Sequence, residues 1–283
     1  MTLLKMKKQR NPSKGFTLLE LVIVMVLLGV MAVGITSFVS LTTQTYVNVT
    51  ARDEIIASAR FAIERLNREI RNAVPNSIRV ANVGPIQCIE FVPIVASTVY
   101  TDIPVSPETA ASSIAVIPFE NDDGSNYQCS GCDDKVIVYP LTNAEVYDTN
   151  TDATGKVFSL GNFTPPGVPT TPWTLPIANG NVLFDADSPT NRLYIANEQI
   201  SYCVLASNLI RYNNSIGGNQ PLPPSSAPYL MAQYLAPIDA ADLPFTFSPA
   251  TLRRNASVKV KLHFINNGED YVFDNEIHIN NVP

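Results

Sequence analysis

The sequence predicts an α+β protein, in which a long N-terminal α-helix, membrane-spanning in its first half, packs on an antiparallel β-sheet domain with long loops. Three observations predict it. Residues 16–41 are almost wholly apolar and carry one charge, Glu20. Residues 51–73 set apolar side chains at helical spacing. The remainder breaks into short alternating runs separated by proline-rich stretches.

The apolar run FTLLELVIVMVLLGVMAVGITSFVSL is long enough to cross a hydrocarbon layer about 30 Å thick as a helix. Lys5, Lys7, Lys8, Arg10 and Lys14 precede it with no intervening acid. Such a cluster keeps the N-terminus cytoplasmic and sends everything after Leu41 to the periplasm. A secretory signal begins in the same way. Here, however, the run is longer than usual, no small-x-small cleavage site follows it, and Glu20 sits near its cytoplasmic end. A carboxylate there costs a few kcal/mol and is a functional candidate by default.

From 51 to 73 the apolar residues Ile55, Ile56, Ala59, Ala62, Ile63, Leu66, Ile70 and Ala73 form one helical face. Glu64 and Arg68 stand four apart on the opposite side. Arg60, Arg65, Arg68 and Arg71 read as a solvated face. Pro75 ends the helix by excluding Val74 from the helical region. A single helix over 17–72 would be about 84 Å long.

Strands are expected at 77–83, 87–95, 114–118, 135–139, 181–184, 192–196, 199–205, 208–212, 257–265 and 271–279. The clearest is Val258-Lys259-Val260-Lys261-Leu262-His263-Phe264, whose strict alternation implies one buried face. The runs at 199–205 and 208–212 flank a short turn and read as a hairpin. Larger insertions, about 100–135, 140–180 and 214–250, are candidates for a variable surface.

Composition narrows function. The 283 residues are 46% hydrophobic, so a sizeable core is available; only 16% are charged, and the net charge is -6. Nothing supplies the basic stripe that phosphate neutralisation requires, which argues against a nucleic-acid partner. No phosphate-cradling glycine loop is present. His263 lies on the polar face of its strand and His278 near the end of the sequence, and no motif ties a nucleophile to either. The expectation is a protein without enzymatic activity.

Lys14-Gly15-Phe16-Thr17-Leu18-Leu19-Glu20, followed by the apolar run, resembles the leader of type IV prepilins and type II secretion pseudopilins. The resemblance implies that prepilin peptidase cleaves after Gly15, that Phe16 becomes the N-methylated terminus, and that the apolar helix is retained. It further implies that Glu20 pairs with the terminal amine of a neighbouring subunit during assembly. Two opposite charges in a low-dielectric setting each lose hydration, and pairing recovers part of that cost. Many family members carry a proline past the middle of this helix, where the present chain reads Gly34-Ile35-Thr36-Ser37. Any local melting would start at Gly34 or Gly29 instead. On this reading residues 1–15 are a removable leader, 16–41 the transmembrane or filament-core helix, 42–75 its amphipathic continuation, and 76–283 a periplasmic β-rich domain.

A narrower resemblance rests on the segment from Arg60 to Ser77, on Cys88-Ile89-Glu90-Phe91-Val92-Pro93-Ile94, and on the ending His278-Ile279-Asn280-Asn281-Val282-Pro283. These are similar to the MshO-type minor pilins of the mannose-sensitive haemagglutinin pilus, and through them to the larger minor pseudopilin of the type II secretion tip. The resemblance implies an initiating or tip-proximal subunit. Its partners would be other minor pilins, the major pilin, prepilin peptidase and the inner-membrane assembly platform. Its location would be the inner membrane first and the surface fibre afterwards. A tip adhesin acting through the long loops, a type II secretion pseudopilin and a membrane-anchored periplasmic enzyme are the alternatives.

Export makes disulfides the default for Cys88, Cys129, Cys132 and Cys203, and four cysteines allow three connectivities. Cys88–Cys203 and Cys129–Cys132 are favoured. The first joins two expected strands and closes a long loop; the second closes a very small one. A redox dithiol at Cys129-Ser130-Gly131-Cys132 lacks the usual helix N-terminus, and zinc lacks a second ligand pair. Asp148, Asn150 and Asp152 alternate as calcium ligands do, but Ala153 replaces the turn glycine and Ser159 the closing glutamate. Asn121-Asp122-Asp123-Gly124-Ser125-Asn126 is a second oxygen-rich turn. Calcium is therefore the one cofactor the sequence suggests, against the plainer reading of two polar turns.

Overall fold

A computed structural model describes residues 15–121, 123–149, 152–167, 171–251 and 254–279. Helix α1 (Leu18–Arg71) is followed by strands β1 (Arg79–Val83), β2 (Ile86–Phe91), β3 (Ala96–Asp102), β4 (Ser113–Val116) and β5 (Lys135–Val138). After a single helical turn, α2 (Asn143–Val146), come β6 (Thr154–Gly155), β7 (Val157–Ser159), β8 (Trp173–Pro176), β9 (Leu183–Phe184) and β10 (Arg192–Ala196). The chain ends with β11 (Gln199–Leu205), β12 (Asn208–Asn214), β13 (Tyr229–Gln233), β14 (Phe245–Ser248), β15 (Ser257–Asn266) and β16 (Glu269–His278). The fold is α+β, a long N-terminal helix with antiparallel sheets. Two compact units divide the chain at Asp53 and Glu54.

In the first unit every described residue is exposed except Ala51, which is half-buried. As far as Leu41 its helix is apolar on all sides apart from Glu20 and a few hydroxyls, the pattern of a segment meant for lipid or for other helices. It is long and apolar enough to cross a membrane. The Thr36, Thr42, Thr43, Thr45 and Thr50 hydroxyls each donate to the carbonyl four residues back, at 2.7–2.9 Å. Their polar groups are thereby satisfied within the helix itself. The helix runs unbroken through Gly29 and Gly34.

In the second unit α1 becomes one-sided. Ile55, Ala59, Ala62, Leu66 and Ile70 are buried, as the helical spacing anticipates, while Ile56 and Ile63 are half-buried. They join a core formed with the sheet β1-β2-β11-β12-β13 and the sheet β14-β15-β16. Ile89, Phe91, Ile200, Tyr202 and Val204 come from the first sheet, Val258, Val260, Leu262 and Phe264 from the second. Gln87 ties the two together: its amide donates to the Phe245 carbonyl and its side-chain oxygen accepts from the Phe245 N–H, both over 2.9 Å. The expected hairpin is present as β11–β12, in register from Gln199↔Asn214 to Leu205↔Asn208. β15 and β16 pair over ten residues around Asn267-Gly268, both at positive φ, as a two-residue hairpin turn requires.

The insertions at 100–135 and 140–180, read from the sequence as candidates for a variable surface, are built largely into a sheet. Together with flanking residues they build a six-stranded sheet, β7-β5-β10-β3-β4-β8, with its own core of Tyr100, Ile114, Val116, Phe119, Tyr127, Val136, Phe158, Trp173, Leu175 and Leu193. The sheet is covered on both faces. Leu193 and Ile195 enter that core, whereas Tyr194 and Ala196 face a third cluster with Val74, Val92, Ile137 and Tyr147. β3, β7 and β8 were not expected as strands: threonine interrupts the apolar residues of β3 and β8, and β7 is only three residues long. The 214–250 insertion is likewise structural: it supplies β13 and β14, and Met231, Ala232, Leu235 and Phe245 are buried. β2 stops at Phe91 rather than residue 95, just before Val92-Pro93, where proline has no N–H to give a ladder. β5 stops before Tyr139, whose φ is 46°.

Cys88 and Cys203 lie directly opposite one another on β2 and β11 and are bonded, with Cα atoms 4.1 Å apart. The bond lies on the sheet face away from α1, under Tyr212, Ile86, Ile210 and Leu222. Cys129 and Cys132 are bonded to each other, with Cα atoms 5.4 Å apart.

Replacing Leu66 with Ala should destabilise the folded domain by about 2–5 kcal/mol, since it opens a cavity at a fully buried site. The variant Cys88→Ser/Cys203→Ser releases a closure spanning 115 positions, and should lower denaturant-unfolding stability by about 4–5 kcal/mol. A loss below 1 kcal/mol in either case would contradict this packing.

Candidate functional site

The residues singled out at the N-terminus sit at the start of α1. Gly15 and Phe16 precede the helix and are exposed, Phe16 at 81%. Thr17 caps the helix: its Oγ1 accepts from the Glu20 N–H over 3.2 Å, and its carbonyl accepts from the Leu21 N–H over 3.2 Å. Thr17-Leu18-Leu19-Glu20 thus has the spacing of a capping box. It also puts an acid in the first turn, where the helix dipole favours negative charge. The Glu20 side chain is exposed, with no ion pair among the described residues. Gly15, Phe16 and Glu20 are therefore held close together at one accessible helix end. The basic leader, residues 1–14, lies outside the described residues.

The other sequence candidates are not gathered into a site. Asp148 and Asp152 are exposed, and Asn150 lies outside the described residues. In the second oxygen-rich turn the Asp123 carboxylate accepts from the Ser125 N–H at 2.9 Å and from its hydroxyl at 2.5 Å, a local turn bond. Cys129, Cys132 and Asp134 are close enough to share an ion, but both sulfurs are held in the disulfide. The Asp134 carboxylate accepts from the buried Tyr127 hydroxyl over 2.7 Å. His263 lies 3.5 Å from Asp270 across the hairpin.

Two charge networks were not anticipated. Arg60, Arg68 and Arg71 are exposed, as expected, but Arg65 is not a free surface group. Its Nε donates to Glu69 over 2.9 Å. Glu69 also accepts from the Tyr202 hydroxyl at 2.9 Å and from Arg211 at 3.1 Å, so it links α1 to β11 and β12. Arg65 and Glu69 are four apart, so the pair itself was readable; the sheet residues joining it were not. On the opposite face of the sheet Glu90 is fully buried. It accepts from Arg79 over 2.7 Å and from the Ser201 hydroxyl over 2.6 Å. The Arg79 guanidinium lies 3.6 Å over the Tyr147 ring and donates to the carbonyls of Gly217, Gly218 and Asn219. These networks fasten the domain. α2 also carried an unused signal, a capping box in which Thr142 and Glu145 bond reciprocally.

Residues 10–36 match the model of the prokaryotic N-terminal methylation motif. That motif marks type IV pilin-like and pseudopilin precursors, and with the apolar helix it fits a membrane-anchored precursor. No curated protein and no solved structure matches the chain.

Burial pushes the pKa of the Tyr147, Tyr202, Tyr127 and Tyr100 phenols above the usual range, helped by Glu90, Glu69, Asp134 and Asp187 respectively. A phenol that holds its proton more tightly when folded contributes stability that is intact below the unfolded value near 10 and is lost as pH rises beyond it. Denaturant midpoints should therefore be level from pH 7 to about 9.5 and fall steeply above 10. Tyr202→Phe should make that fall shallower; a midpoint unchanged at pH 11.5 would refute the assignment.

Proposed function

We propose that the protein is a minor pilin, an initiating or tip-proximal subunit of a type IV pilus. It is cut after Gly15 by prepilin peptidase, N-methylated at Phe16 and inserted into a fibre through α1. The observation that carries this reading is the helix end itself. Gly15 and an exposed Phe16 precede an uninterrupted helix that carries Glu20 in its first turn and is otherwise apolar on every side as far as Leu41.

The chemistry follows from that arrangement. Before cleavage the basic leader holds the N-terminus in the cytoplasm. Hydrolysis after Gly15 exposes an amine on Phe16, four positions before Glu20 in the chain. Within one helix the two are displaced along the axis. The amine of an incoming subunit, shifted axially, can meet the Glu20 carboxylate of its neighbour. Each group would be poorly hydrated alone, so pairing selects one register among many that apolar contact would allow. Other minor pilins, the major pilin and an inner-membrane platform are the partners in this scheme.

A tip adhesin is the second reading, favoured by the six-stranded sheet, which adds a second core beyond the one α1 requires. A type II secretion pseudopilin would share the same helix end.

Intact mass of the exported protein should correspond to residues 16–283 with one added methyl group and four oxidised cysteines. Glu20→Gln should leave cleavage intact and lower fibre number at least tenfold under electron microscopy. Retention of Met1 in the exported protein, or normal fibres from Glu20→Gln, would overturn the proposal. Fibres that form normally but no longer attach when surface residues of the six-stranded sheet are changed would favour the adhesin.

A further inference from the structure

Sheet edges are adhesive, because one side of the outermost strand presents N–H and C=O groups with no partner, and soluble proteins guard them with charge, proline or brevity. Most outer strands here follow that rule. β16 carries Glu269, Asp270, Asp274 and Glu276 within ten residues. β8 ends in Pro176, and β7 has three residues beside Lys156.

β13 does not. It is the last strand of the five-stranded sheet, and Tyr229–Gln233 pair only with β12, through a register shift at Leu209/Ile210; just past them Leu235 bridges Phe264 of β15, and the Tyr234 carbonyl accepts from the Ile265 N–H over 2.8 Å. No Asp, Glu, Lys or Arg occurs between Arg211 and Asp239. Tyr229 and Leu230 are both 56% exposed, and Tyr234 is 49% exposed. Beside this edge runs a groove of about 150 Å³, walled by Glu54, Ile55 and Ser58 of α1 and by residues 230–234. Glu54 is exposed, no basic residue lines the groove, and Glu54 has no ion-pair partner among the described residues.

We infer that β13 is a docking edge for an extended segment of a neighbouring pilin-like subunit, which adds a strand beside Tyr229–Gln233 and sets a Lys or Arg against Glu54. Three features define that occupant. Open backbone groups call for another backbone, which a lipid acyl chain cannot offer. The uncharged Tyr229 and Leu230 surface calls for apolar side chains on the added strand. The lone carboxylate in the groove calls for one cation. The inference rests on the fibre-subunit reading above and extends it to a second contact, separate from the helix end.

The test places photoreactive benzoylphenylalanine at Gln233 in the full chain, in cells that make the other pilin-like subunits. Irradiation should give an adduct with one of them, mapped to an uncharged or basic extended segment. Leu230→Lys should lower its yield about tenfold and Glu54→Lys several-fold. The same probe at Asp274, on the guarded edge, should give none. Both side chains are exposed, so these variants should keep the wild-type unfolding midpoint. An adduct with a second copy of the chain, with lipid or with nothing, or a yield indifferent to Leu230→Lys, overturns the inference. Mass analysis of the same sample separates the two proposals. Protein cleaved after Gly15 without an adduct removes the docking edge alone. Uncleaved protein that still forms the adduct removes the fibre-subunit reading and supports the edge. Uncleaved protein without it removes both.

Discussion

Ile55, Ala59, Ala62, Leu66 and Ile70 give the second half of α1 a single buried line against the sheets. Two of the five are alanines, which lets the helix backbone approach the sheet closely, and the larger side chains on either side fill the remaining space. The register of this line decides the rest. It sets Glu69 towards β11 and β12, leaves Arg60, Arg68 and Arg71 outside, and aligns β13 beside Glu54, Ile55 and Ser58. A rotation of the helix by one residue would bury charge and expose the line, so the arrangement has no near neighbour in energy.

Polar groups reinforce that choice on both faces of the five-stranded sheet. Glu69 has two arginines and a tyrosine around it; Glu90 has Arg79, Ser201 and a nearby Gln199. Buried ion pairs add little net stability compared with apolar packing, but removing one partner is costly. Their effect is to exclude alternatives. Arg79 is the clearest case, since one guanidinium fixes an acid, an aromatic ring and three carbonyls of the 217–219 segment.

The helix was legible because its two halves obey simple rules, apolar everywhere and then apolar at a 3.6-residue period. β15 was legible for the same reason, with strict alternation over Val258 to Phe264. The six-stranded sheet was not. Its strands are short and covered on both faces, so Val136, Ile137 and Val138 all point into apolar surroundings and no alternation survives. β13 and β14 were missed because prolines on either side mark the segment as loop, while burial of Met231 and Phe245 depends on partners distant in sequence. At the helix end, Gly15, Phe16 and Glu20 were readable as a local motif. Arg65 was misjudged as solvated because its neighbours Tyr202 and Arg211 lie more than a hundred residues away in the chain. The cap role of Thr17 was available in the spacing Thr17-x-x-Glu20 and went unread.

The threonines of the first unit bear on how such a chain waits. Hydroxyl groups in a bilayer helix ordinarily act as glue, seeking acceptors on whatever helix drifts past. Here Thr36 and, just beyond the apolar run, Thr42, Thr43, Thr45 and Thr50 spend their hydroxyl protons on their own backbone. Those five donors are thereby unavailable to bind a neighbouring helix, so side-to-side adhesion along this stretch would have to come from apolar contact.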